Sequence, residues 1–529
     1  MNTNCLPKLL VILGGMSCVA GATERITLPG TQPRASGLRI EPISTCATCH
    51  AHTTSGQHDA HASWQTGMMS YAAKDPLFRA AMAIAEQDIP GVGGFCLRCH
   101  TPGGFLAGRV SGGDVSKLTS EDLHGVSCSI CHRMLDPRLP EASWHVNPVP
   151  PGIGNGMMVI NPENAMTGPY PNDPKIRMRP HGVRDARFLA SGHLCGTCHN
   201  VSNPLQASDV NKQSPRSYGH IERTYSEWLL SDYAEQGSDG ACQSCHYPKV
   251  PGGGYPTNIR GNPKRQHYVT HGPVGGSTWI QDAIWHIWSD QGVDREALER
   301  GKQKAREFLR TAATLELSFP EAGHARLRIT NHTGHKLPTG YPEGRRMWVN
   351  ARYLDAQSNL LHEIGRYDDK EETVLGQPAK LPTLLDPEST RVYESLPALS
   401  PAQASKYNKE PGPSFFFALN DTIAKDNRIP PKGYQQARFA EHHCQPVGVE
   451  YADGQHWDEM DLELPPNTAR VEVRLMYQSA SAEYIKFLAD TDQTSPWGRR
   501  VYETWQKTGQ CPPEVIAEIA KPVGASTNQ

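Results

Sequence analysis

Cys128-Ser129-Ile130-Cys131-His132 is one of five copies of the same pattern in this chain. The others are Cys46-Ala47-Thr48-Cys49-His50, Cys96-Leu97-Arg98-Cys99-His100, Cys195-Gly196-Thr197-Cys198-His199 and Cys242-Gln243-Ser244-Cys245-His246. Two thiols three positions apart lie on one turn of chain, where both can add across the vinyl groups of one porphyrin. The histidine that follows then lies beneath the iron as its proximal ligand. With 14 Cys and 23 His among 529 residues, independent placement would give roughly 0.02 copies in the whole chain. A single Cys-x-x-Cys suits zinc or a redox dithiol equally well. Five copies, 32 to 67 residues apart and each with its own histidine, are read as attachment sites for five covalent haem c groups.

The rest of the composition agrees. A hydrophobic content of 37% with 7% aromatic residues is low for 529 residues, and bound porphyrins would supply the missing apolar volume. A net charge of -3 gives no electrostatic reason to expect nucleic acid or an acidic membrane surface. Residues 1–22 read as a secretory signal, with Lys8 before an apolar run from Leu9 to Val19 and small residues at Ala20-Gly21-Ala22. That run is too short to span a bilayer and no later stretch is longer, so no transmembrane segment is expected. Gly15-Met16-Ser17 before Cys18 makes a poor lipobox. Export to the periplasm or cell surface suits the motifs, because in bacteria haem is joined to thiols outside the cytoplasm. Ten cysteines belong to the motifs and Cys5 and Cys18 to the signal, which leaves Cys444 and Cys511 either as one disulfide or as two free thiols.

Residues 40–290 are rich in Gly and Pro, with short helical patterns between the motifs. One runs near His58 to Ala85, where Trp64, Met68, Tyr71 and Ala72 recur at helical spacing before Asp75-Pro76 interrupts. A second covers Tyr225 to Tyr233. A third, polar helix over residues 294–312 reads as a spacer. Beyond it, Thr314–Phe319, Ala325–Thr330, Arg346–Tyr353 and Ala469–Tyr477 alternate as half-buried strands do, with a turn at Asp355-Ala356-Gln357-Ser358-Asn359 and a last helix from Pro496 to Lys507. The expectation is an α+β multidomain chain: signal 1–22, a haem-packed, mostly helical and irregular domain 23–293, a linker helix 294–312, and a β-rich domain 313–529 of immunoglobulin-like sandwich type.

Several stretches carry a family resemblance. They are His61-Ala-Ser-Trp64 running into Met68-Met69 and Asp75-Pro-Leu-Phe78, Phe95 to Pro102, Gly125 to Met134, Leu194 to His199, Glu222 to Trp228, Gly275 to Trp279, and Asn331 to Gly340. Over roughly 45–350 the chain resembles secreted multihaem cytochromes of the c554 and hydroxylamine-oxidoreductase-like group. The resemblance implies haems stacked closely enough to pass electrons along a chain, and names no substrate.

The residue at each iron's second axial place decides between carrier and catalyst. Proximal ligands are expected at His50, His100, His132, His199 and His246, and eighteen other histidines are more than five irons need. Distal candidates are His271, which matches a histidine that looks distal in related proteins, His181 upstream of the fourth motif, and His61 on the first helix. Met69 is a further candidate, because relatives often carry Trp-x-x-Ser-x-His where this chain has Trp64-Gln-Thr-Gly-Met-Met69. His332 and His335 lie in a loop after a strand, and a ligand from there would lock the two halves together. No Cys-x-x-Cys-Lys, Walker loop, Rossmann fingerprint, Gly-x-Ser-x-Gly or His-Glu-x-x-His occurs. The first reading is therefore an exported electron-transfer protein working between redox partners. The alternative is an oxidoreductase acting on a small nitrogen or sulfur compound at one haem with an open distal place. In a third reading the β half is a docking module.

Overall fold

In the computed structural model the described residues are 28–139, 153–168, 173, 176, 181–185, 187–203 and 220–524. The expected signal segment lies outside them. The N-terminal half is built of short helices joined by irregular chain, and each attachment motif lies wholly or partly on one of them. Those helices are Ile43–His50, Gly93–His100, Cys128–Arg133, Gly192–Gly196 and Cys242–His246. The helical pattern anticipated from His58 to Ala85 is broken into three, Ala60–Trp64, the 3-10 turn Met68–Tyr71 and Pro76–Asp88. Two aspartates set the breaks: Asp59 accepts from the backbone N–H of Ala62, and Asp75 from those of Leu77 and Phe78, with Pro76 opening the last helix.

Helix Arg295–Leu309, capped by Asp294, occupies the stretch read as a spacer. It is packed rather than bridging. A Cβ at Gly301 would lie 2.2 Å from the Thr66 carbonyl oxygen, so the two backbones meet where only glycine fits.

After it the chain turns to strands, as the alternation anticipated. Ala313–Glu321, His324–Asn331 and Trp457–Glu463 form a three-stranded antiparallel sheet. Leu360–Ile364, Arg346–Leu354, Arg470–Gln478 and Glu514–Pro522 follow one another in a second antiparallel sheet, with Val392–Tyr393 also paired to Arg346–Leu354. Leu317, Leu327 and Ile329 from the first sheet share one apolar core with Val349, Tyr353, Val471, Val473 and Leu475 from the second. The period of two explains this: alternate side chains of each strand turn inward, and the others face water. Two further small assemblies, the hairpin Tyr367–Val374 with Gln377–Leu384 and the sheet containing Ser395–Leu399, lie outside the pair. The architecture is α+β; an immunoglobulin-like strand order is not shown.

A second core crosses the chain from end to end. Tyr71, Ala80 and Ile84 pack with Trp279, Ile284 and Trp288, and with Tyr484, Ile485, Leu488 and Trp505 of the C-terminal helices Ala482–Thr491 and Trp497–Lys507. Cys444 and Cys511 are each buried, in different cores, as free thiols. Among the described residues no helix is long and apolar enough to cross a membrane.

Candidate functional site: five histidines and their partners

Each motif histidine turns Nδ1 toward an acceptor. His50 donates to the carbonyl of Pro256 at 2.8 Å, His100 to Ala72 at 3.1 Å, His132 to Thr167 at 2.8 Å and His246 to Val274 at 2.6 Å. A carbonyl can only accept, so the proton sits on Nδ1 and Nε2 is left with its lone pair, the form that binds a metal. Burial opposes the charged form in all four: His50 and His132 are lowered, and His100 and His246 fall to about 4. Neutral imidazoles are what iron requires.

His199 differs. Its Nδ1 lies 3.0 Å from the Glu222 carboxylate. Burial would lower it, but the charge of Glu222 and this hydrogen bond outweigh that and lift the metal-free ring to about 9; a metal at Nε2 would take the place of the second proton and leave the Nδ1 proton on the carboxylate hydrogen bond. Glu222 is held below the ordinary carboxylate range, its burial overcome by the charge and hydrogen bond of His199 and by Arg345.

Three motif histidines face a second imidazole. The ring centres of His50 and His181 are 6.4 Å apart with planes 25° from parallel, those of His132 and His271 6.2 Å and 18°, and those of His246 and His335 6.4 Å and 32°. A metal–nitrogen bond of about 2 Å on each side, with each ring centre about 1.1 Å further out, puts two imidazoles on one metal about 6.2 Å apart. The three pairs fit that span. His181 donates from Nδ1 to its neighbour's carbonyl, Gly182, at 2.9 Å, and His335 to that of Lys336 at 3.0 Å.

The other candidates fall elsewhere. His61 sits 6.1 Å from Trp64, which in turn is 6.0 Å from His124, and among the described residues its ring is paired with no motif histidine. Met69 lies one turn before Ala72, whose carbonyl holds His100, and its own carbonyl accepts from Val126. The ring of Phe78 lies flat on His100, centres 3.5 Å apart and planes 3° from parallel. His332 bonds Thr314 at 2.9 Å on the strand side of its loop.

The cysteines bring the motifs together. Cys46 and Cys128 interact through their side chains, as do Cys99 with Cys198 and Cys195 with Cys242, and Cys131 lies near Cys195 and Cys198. The fourth motif therefore touches the surroundings of the second, third and fifth, and the first reaches it through the third.

The family described as cytochrome c554 and c-prime matches residues 45–133, a stretch that contains the first three motifs. Residues 45–133 form a multihaem c-type domain of the cytochrome c554/c-prime kind. Covalent haem binding and electron transfer go with that domain. The fold of this cytochrome is similar to that of a penta-heme cytochrome c552 from Thermochromatium tepidum. The TM-score is 0.52 at 16% identity, over 91% of this chain and 100% of that one. No curated protein matches the cytochrome.

Sequence reasoning missed Glu222 and Phe78 as functional residues, although both stood in stretches that carried the resemblance. It also missed a buried ionic cluster behind His335. Lys336 and Glu227 are fully buried, and Lys336 pairs with Asp426 and lies 3.6 Å from Glu227. Arg428 reaches Asp426 at 2.6 Å and Glu227 at 3.0 Å. Nothing in the local pattern marks these four, which stand on three distant segments.

Proposed function

We propose that this cytochrome carries five covalent haem c groups and transfers electrons between redox partners outside the cytoplasm. The thioether positions are Cys46 and Cys49, Cys96 and Cys99, Cys128 and Cys131, Cys195 and Cys198, and Cys242 and Cys245. The proximal ligands are His50, His100, His132, His199 and His246. The observation that carries the reading is the three facing imidazole pairs at 6.2–6.4 Å, which support His181, His271 and His335 as distal ligands. Two strong axial ligands make an iron that exchanges electrons and leaves no place for substrate. Haem supplies a one-electron couple; the chain supplies attachment, axial ligands, and a hydrogen bond behind each proximal imidazole that fixes its tautomer and basicity. Motifs interleaved through their cysteines support short steps between neighbouring sites.

Low-temperature EPR on the holoprotein tests this, alongside a haem count by mass spectrometry of the attachment peptides. The expected result is five haems, and one low-spin centre becoming high-spin in each of His181→Ala, His271→Ala and His335→Ala. Unchanged spin states in any of the three would remove that residue from the ligand set.

A second reading, an oxidoreductase on a small nitrogen or sulfur compound, is favoured by one observation. Among the described residues, neither His100 nor His199 faces a second imidazole at the bis-histidine distance. A high-spin iron in the unmodified protein that binds nitrite, hydroxylamine, sulfite or carbon monoxide would support it.

A further inference from the structure

The five motifs are chemically unequal, and the unequal one sits at the centre. Four proximal imidazoles donate to neutral carbonyls, whereas His199 donates to a carboxylate at 3.0 Å. The contact is set by the backbone. Glu222 ends the strand His220–Glu222, which pairs with Val201–Ser202 immediately after the fourth motif, in the register Val201 opposite Glu222.

A carboxylate draws the Nδ1 proton away from the ring more strongly than a carbonyl does. The imidazole becomes a more anionic donor at Nε2, which stabilises the more positively charged ferric iron. Position adds to this. The helix bearing the start of the fourth motif packs on that of the fifth, and Gly156, beside Cys99 of the second motif, donates its N–H to the Thr197 carbonyl of the fourth; Cys131 of the third lies within electrostatic reach of Cys195 and Cys198, and His199 of both His100 and His246. Among the described residues the first motif meets the third, through Cys46 and Cys128 and the packing of their two helices.

We propose that Glu222 makes the His199 haem the most reducing of the five, and that this haem is the junction of a branched circuit. One branch holds the His132 and His50 sites, a second the His100 site and a third the His246 site. Electrons then rest on the branches, and exchange between branches requires thermal access to the most reducing site. Each exchange moves one electron from one iron to the next, with no bond made or broken. The inference rests on the pentahaem reading above.

The test is anaerobic spectroelectrochemistry of the purified holoprotein, unmodified and as Glu222→Gln, with haem peptides counted by mass spectrometry. Glutamine keeps the shape and an acceptor but removes the charge. The lowest of five one-electron steps should rise by at least about tenfold in its equilibrium constant, about 59 mV for one electron, while the other four stay in place. A purely structural role for Glu222 would not produce that selective shift. An unmoved lowest step, or movement of a different step, overturns the proposal. If the Gln variant matures without a full haem complement, Glu222→Asp decides: restored charge should hold the lowest step within about threefold of the unmodified protein, and a tenfold rise overturns the proposal. Fewer than five haem peptides in the unmodified protein would instead overturn the pentahaem reading, and the count shows which motif lacks its haem.

Discussion

Lys336→Met should destabilise the folded chain by about 3–5 kcal/mol, the usual cost of removing one partner from a buried charge cluster. Lys336 and Arg428 face the carboxylates of Glu227 and Asp426. Burial alone would push both carboxyls up, yet the two cations hold them below their ordinary range. With Lys336 gone, one guanidinium remains for two carboxylates that cannot reach water. Methionine fills most of the space, so the loss reports charge rather than a cavity. The cluster also holds the residue that faces His246: Lys336 follows His335 directly, and its backbone N–H donates to Glu227 at 3.1 Å. Urea denaturation of the holoprotein should show the loss, and EPR should show disturbance confined to one low-spin centre. A denaturation midpoint equal to that of the unmodified protein would mean that the cluster adds nothing to stability.

Glu343→Gln should abolish a fall in stability that the unmodified protein undergoes between mildly acidic and mildly alkaline pH. Glu343 is 2% exposed, one of its oxygens has no hydrogen-bond partner, and burial pushes its carboxyl up to about 8. Tyr341 and Tyr484, whose hydroxyls are 2.7 Å apart, lie within its electrostatic reach, and Asp75, pushed up by burial to about 6, acts on Tyr484. A folded-state pKa raised above the unfolded value means that the native chain binds the proton more tightly. The stabilisation is therefore complete below the unfolded value of 4.5 and is lost as pH rises through about 8. The swing is a few kcal/mol at most. Glutamine imitates the neutral acid at every pH, so the difference between variant and unmodified protein should grow steadily from pH 5 to pH 9. A constant difference across that range would contradict the assignment.

What the sequence made legible follows from what kind of signal each feature leaves. The attachment sites are local: five residues in a fixed order identify a thiol pair and a ligand together. The strands were equally readable, because Ala325, Leu327 and Ile329, like Val471, Val473 and Leu475, alternate with polar residues over a whole element. The facing imidazole pairs left no such mark. His181, His271 and His335 lie far along the chain from His50, His132 and His246, and only the fold brings each pair to one span. His61 and Met69 looked as good by residue type, yet the breaks imposed by Asp59 and Asp75 place them elsewhere. Hidden too was the packing of the C-terminal helices on Tyr71, Ala80 and Ile84, because an amphipathic face shows that a helix is covered and not by what.

The segment from His335 to Arg345 belongs to the strand-rich half yet touches the surroundings of three attachment sites. His335 faces His246, Tyr341 lies near Cys96, and Arg345 acts on the Glu222 that holds His199. Thr339 ties the segment down by donating to Glu227 at 2.7 Å. All ten motif cysteines precede this segment in the chain. A chain cut short before His335 would therefore keep all ten motif cysteines and lose the ring that faces His246.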